Sequence, residues 1–219
     1  MRRPLSVLSA VAAAALLGAC SAVGVRSGTE EPRYEVVDRL SDEVEVRRYE
    51  TRLAAEVEVP GGNGSEPSNA AFRILAGYIF GANQAQQEIA MTAPVAVDRA
   101  TTAKAEKIAM TAPVETVAAA DGGQRMRFFL PAGYSLETAP VPTDPRVRLV
   151  PVPAEEVAVL QFSGRWQADS ITPKAAVLLA ALEQSSWQPA GAPGAWFYDP
   201  PWTLAFLRRN EVAVTVSRR

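Results

Sequence analysis

Histidine is absent from all 219 residues. Its absence removes a His-based catalytic triad, a His-liganded zinc site and a histidine ligand to iron. The one cysteine, Cys20, excludes an internal disulfide and a thiolate metal cluster. Met91 and Met110 remain as weak metal-ligand candidates, although a strand methionine more often fills a core gap. Other catalytic signatures fail in turn. Gly61-Gly62-Asn63-Gly64 is glycine-rich but lacks the Lys-Ser/Thr of a phosphate loop. Ser163 sits in Phe-Ser-Gly, which is no nucleophile elbow, and has no histidine base. Acids are plentiful, yet no pair stands at a spacing that suggests acid–base work. The expectation is a protein that is not an enzyme. Lys and Arg number 22 against 24 Asp and Glu, a net charge of −2, so there is no basic excess for nucleic acid.

The chemistry of Cys20 depends on what precedes it. Arg2 and Arg3 form a short basic region, and Val7 to Leu17 is an apolar run too short for a membrane span, which needs about 20 residues. The run closes on Leu17-Gly18-Ala19-Cys20. This resembles the lipobox of bacterial lipoproteins, where the signal peptide is cut before a cysteine that is then lipidated. Residues 1–19 are therefore expected to be a signal peptide and Cys20 the lipidation site. Ser21 resembles the outer-membrane sorting pattern, so the expected location is the bacterial cell envelope, anchored in the outer membrane and facing the periplasm. Residues 20–33 are rich in Ser, Gly and Glu and read as a lipidated tether to a domain spanning 34–219.

The elements of that domain follow from periodicity. Tyr34 to Val59 alternates apolar with charged residues, as half-buried strands do. After the glycine-rich breaker, Ser68 or Asn69 caps a helix that carries Phe72, Leu75, Ala76 and Ile79 on one face. Gln124 to Leu130 and Val157 to Phe162 read as strands, and Val147 to Val150 is a short apolar run in a proline-rich region. Thr172 as N-cap and Pro173 at the first position open a second helix. Trp196 to Tyr198, Leu204 to Arg208 and Val212 to Val216 complete the strands. One heptapeptide occurs twice: Ile89-Ala90-Met91-Thr92-Ala93-Pro94-Val95 returns unchanged 19 residues later as Ile108 to Val114. The copies read either as two neighbouring strands or as a local duplication with one copy displaced into a loop. The order of elements predicts one α+β domain with internal pseudo-symmetry.

These residues resemble a known family. The marker is Ile-Ala-Met-Thr-Ala-Pro-Val. With it go Phe72…Leu75…Tyr78-Ile79…Gly81…Asn83, Met126-Arg127-Phe128-Phe129-Leu130-Pro131 and Phe162-Ser163-Gly164. Tyr198-Asp199-Pro200-Pro201 and Arg208-Arg209-Asn210-Glu211-Val212 close the series. The pattern is similar to the SOUL haem-binding protein family and runs from about Tyr34 to Val216. The resemblance implies a distorted antiparallel β-barrel with two helices, built from two pseudo-symmetric β-α-β-β halves. It extends more distantly to the effector-binding modules of some bacterial regulators.

The family implies noncovalent binding of haem or another tetrapyrrole in an apolar cleft beside the first helix. Carried onto this chain, Phe72, Ala76 and Ile79 become one wall, Trp202 and Phe206 the other, and Tyr78 the rim. Arg73 is the helix's one basic residue for a propionate. Haem would have no histidine ligand here. Arg208 and Arg209 either meet propionates or pair with Asp199 or Glu211. The expected function is reversible tetrapyrrole binding by a lipid-anchored envelope protein. The alternatives are an envelope interaction module without haem, or a binder of another flat apolar ligand.

Overall fold

The computed structural model describes residues 30–60, 66–84, 89, 95–98, 117–118, 124–165, 168–199 and 202–219. Within them lie eleven strands and two α-helices. The strands are β1 (Tyr34–Arg39), β2 (Val44–Tyr49), β3 (Arg52–Val59), β4 (Val95–Asp98), β5 (Val117–Ala118), β6 (Gln124–Phe129), β7 (Arg148–Val152), β8 (Glu155–Phe162), β9 (Trp187–Pro189), β10 (Gly194–Phe197) and β11 (Asn210–Arg218). Helix α1 spans Glu66–Ile79 and α2 spans Ala168–Glu183.

Strands pair antiparallel in the order β1-β2-β8-β11-β10-β4-β6-β3-β7, with β5 beside β6 and β9 beside β11. This order has a pseudo-twofold between β10 and β4. β2-β8-β11-β10 on one side mirrors β7-β3-β6-β4 on the other. Each half contributes its first strand to the other half's sheet: β2 precedes β3 in sequence but pairs with β8, and β7 precedes β8 but pairs with β3. The sheet curls into an α+β half-barrel, and the exchanged strands lock the two halves together.

Strand alternation assigns the two faces of the sheet. One face carries both helices. Under α1, Ala71, Leu75, Tyr78 and Ile79 pack on Leu53, Ala55 and Val57 of β3 and on Met126 and Phe128 of β6. Under α2, Leu178 and Leu182 pack on Val44, Val46, Ala158, Leu160, Val212 and Val214, with Trp187 closing the end. Full burial of each such aliphatic side chain contributes about 1.5–3 kcal/mol, so these two clusters fix both helices.

Two expectations change. Helix α2 begins at Ala168, four residues before the expected cap, so Pro173 lies inside it and the Asp169 carbonyl loses its helical donor. Leu204 to Arg208 is not a strand: residues Ala205–Leu207 form a 3-10 turn. The second heptapeptide lies outside the described residues, as do Met91, Met110 and Cys20. Of the first copy, Ile89 and Val95 are described, and Val95 begins β4.

Candidate tetrapyrrole site and the rim that holds it

Register places α1 and the β10–β11 loop at one rim of the sheet. Val95 at the start of β4 pairs with Phe197 at the end of β10, while Ala96 pairs with Arg127 near the end of β6. The chain therefore leaves β6 and β10 from the same edge. The end of α1 is tied to that edge: Ile89 N–H donates to the Ile79 carbonyl at 2.8 Å. The Tyr78 hydroxyl donates to the Pro140 carbonyl at 2.8 Å, and Gln84 N–H donates to the Val141 carbonyl at 2.8 Å.

The seven residues expected to bind are divided by this geometry. Phe72 is 39% exposed on α1 and meets Phe128 edge-on, with ring centroids 5.4 Å apart. Arg73 is exposed and its Nε donates to the Asn69 carbonyl, one turn back, at 3.1 Å. Ala76 is half-buried. Trp202 and Phe206 are 67% and 72% exposed on the β10–β11 loop. Tyr78 and Ile79 are buried in the α1 core, so in this structure neither presents a wall or rim to solvent. Burial raises the Tyr78 phenol pKa, helped by Tyr134. Among the described residues no group of three or more His, Cys, Asp or Glu side chains is placed to hold a metal ion.

The loop is braced from beneath. The Gly164 N–H donates to the Ala205 carbonyl at 2.9 Å, and Gly164 has φ +123°, a conformation that favours glycine. Leu207 N–H closes on the Leu204 carbonyl at 2.9 Å, and Arg208 Nε donates to the Thr203 carbonyl at 2.8 Å. The carbonyls of Thr203, Leu204 and Ala205 thus have donors, while Leu204, Phe206 and Leu207 face outward.

The face opposite the helices holds charge, and sequence patterning gave little sign of it. Glu211 is fully buried there. Arg47 grips it through Nη1 at 2.8 Å and Nη2 at 3.0 Å. Arg209 adds Nη2 at 2.8 Å, and the Tyr198 hydroxyl donates at 2.5 Å. Burial opposes the Arg47 charge, but Glu211, with Tyr49 and Tyr198, outweighs it and raises the guanidinium pKa. Burial, then Glu211, pushes the Tyr198 phenol well above its ordinary value. Farther along, Arg52 pairs with Glu155 between the rings of Tyr49 and Phe129, 4.4 Å from each centroid. Burial lowers the Arg52 pKa against the pull of Glu155. Aromatic side chains surround Glu211, but two guanidinium groups already neutralise it, so the cluster is a closed structural network. Arg209 follows the pairing reading: besides Glu211 it holds Glu31 at 3.2 Å, and its backbone N–H donates to Asp199.

The same face receives the chain from its N-terminal side. Glu30 Oε1 accepts from the Ala132 N–H at 2.9 Å, and the next residue, Glu31, pairs with Arg209. Tyr34 lies over the Arg47 guanidinium, 4.4 Å from the ring centroid.

Comparisons agree with this architecture. The profile of the SOUL heme-binding protein family matches residues 29–104 and 99–215, two segments that meet between the heptapeptide copies. No curated protein matches the chain. Among solved structures, the EcmrR C-terminal domain aligns with a TM-score of 0.54 and 11% identity, covering 85% of this chain and 99% of that one. A conserved protein from Listeria innocua aligns with a TM-score of 0.53 and 11% identity over 87% and 94%. A hydrolase from Listeria innocua gives 0.53 and 12% identity over 80% and 92%. At such identities the likeness is one of fold.

Proposed function

The chain belongs to the SOUL heme-binding protein family, and on that premise we propose that it binds a tetrapyrrole, haem foremost, reversibly at the rim between α1 and the β10–β11 loop. Family membership supports the ligand class. The observation that carries the site is the outward aromatic set of Phe72, Trp202 and Phe206 on two elements that the sheet register brings to one edge. A flat macrocycle gains from ring stacking and from apolar burial at about 25 cal/mol per Å². Arg73, beside Phe72, is the cation available on α1 for a propionate. With no histidine in the chain, affinity comes from burial of the ring rather than from strong iron ligation. The protein acts by holding and releasing its ligand and not as an enzyme. The lipobox-like segment before Cys20 supports a signal peptide over 1–19 and lipid anchoring in the bacterial envelope, with 20–33 as tether and 34–219 as the binding domain. Haem titration followed in the Soret band tests the site. Saturable binding that weakens severalfold in Phe72→Ala supports it, and binding indifferent to that change refutes it.

A further inference from the structure

We infer that the rim bearing the β10–β11 loop docks onto the lipid bilayer that holds the Cys20 anchor, with Trp202, Leu204, Phe206 and Leu207 inserted among the lipid headgroups. The inference rests on the proposed lipidation of Cys20, and it assigns to the ligand rim a second surface to meet.

Three observations converge. First, four large apolar side chains are exposed within six residues of this loop, and the carbonyls of Thr203, Leu204 and Ala205 each accept a hydrogen bond. A short turn with Trp, Phe and Leu outermost suits the headgroup layer, where an aromatic ring with a polar edge is favoured. Second, further apolar side chains are exposed along the rim, among charged ones such as Glu137 and Arg146. Phe80 at the end of α1, and Leu136 and Val141 on the β6–β7 loop, are exposed. The hydrogen bonds from Tyr78, Gln84 and Thr143 tie these two elements together. Third, the described end of the tether meets this rim. Glu30 is bonded to the β6–β7 loop at Ala132 and Glu31 to Arg209, two residues beyond Leu207. Nine residues lie between Cys20 and Glu30, and the ten chain steps reach at most about 35 Å. An acylated Cys20 therefore holds the rim within one tether length of the membrane. Contact with the bilayer becomes intramolecular, and a weak apolar insertion is enough to orient the domain. A bilayer-facing rim also offers the ligand cleft to the phase in which an apolar ring dissolves.

The full chain, purified with its native N-terminus, is mixed with phosphatidylethanolamine–phosphatidylglycerol vesicles containing lipids brominated near the headgroup. Trp202 is exposed, whereas Trp187 and Trp196 are buried. Docking predicts bromolipid quenching that falls at least twofold in Trp202→Phe and in Leu204→Ser/Phe206→Ser. Absence of quenching, or quenching unchanged by these substitutions, overturns it. So does a concentration-dependent dimer broken by the same changes, because the rim would then be covered by a second copy. The mass of the N-terminal peptide reports acylation of Cys20 separately, and haem titration without vesicles reports the ligand site separately.

Discussion

Arg47 and Glu211, 164 residues apart in sequence, form a two-pronged ion pair buried between the strands of opposite halves. Arg47 belongs to β2 and Glu211 to β11, and both flank β8. The pair spans the place where β2 is exchanged into the other half's sheet. Breaking one partner leaves a buried charge without compensation, which costs about 3–5 kcal/mol. Glu211→Leu should approach that range, since it leaves Arg47 with Glu45 alone and takes the acceptor from the Tyr198 hydroxyl. Arg47→Met should cost less, because Arg209 still holds the carboxylate. The double variant should be more stable than the sum of the two losses predicts. Urea unfolding of the three variants measures this, and a loss below about 1 kcal/mol for Glu211→Leu would contradict the account.

Tyr49, Tyr78 and Tyr198 all have phenol pKa values raised by burial. In the unfolded chain these groups ionise near pH 10. Above that pH the unfolded state has released protons that the native state still holds. Stability is therefore fully present below about pH 10 and falls as pH rises further, by about 1.4 kcal/mol per pH unit for each tyrosine involved. The urea midpoint should hold to pH 9 and drop steeply by pH 11. In Tyr78→Phe the drop should be shallower by about one proton, and an unchanged slope would remove Tyr78 from the set.

Phe72 and Leu75 lie on one helix, one exposed and one fully buried. Leu75→Ala should cost about 2–5 kcal/mol through the cavity it leaves. Phe72→Ala should cost less than that, losing an edge contact with Phe128 and only partial burial. Haem affinity should show the reverse order in variants that remain folded. Thermal melts paired with Soret titrations separate the two roles.

Met91 and Met110 are the weak candidates for a thioether ligand to iron in the repeated heptapeptide. If affinity comes from burial of the ring, Met91→Leu and Met110→Leu should leave the absorption spectrum of the haem complex and its affinity unchanged. A shifted Soret maximum in either variant would instead place a thioether on the iron.

Most of the strands were legible because one face of each is buried, so apolar and polar residues alternate along them, as in Val44–Tyr49 and Gln124–Phe129. Alternation failed at Leu204 to Arg208. Leu204 and Phe206 have the spacing of a strand, but the segment faces solvent and closes into a 3-10 turn. The pattern of α1 gave its apolar face but could not show what covers each position. Tyr78, read as a rim residue, is buried because the β6–β7 loop brings the Pro140 carbonyl to its hydroxyl. The pairing of Arg209 with Glu211 was within reach because the two are neighbours on one strand face. Arg47 was not, since only the exchange of β2 into the second half brings it to Glu211. Cap chemistry around Thr172 and Pro173 pointed to a helix start that the chain reaches a turn earlier. The exposed Phe80, Leu136 and Val141 carried no sequence signal as a surface, because it is register and loop hydrogen bonds that gather them at one rim.

A competition titration measures the central claim most directly. The protein is titrated with haem in the presence of serum albumin, as wild type and as Phe72→Ala and Trp202→Ala/Phe206→Ala. The account predicts that the wild type takes haem from albumin to one equivalent and that both variants lose the competition while keeping their melting temperatures within a few degrees. Haem left on albumin by the wild type, or equal uptake by all three proteins, would contradict it.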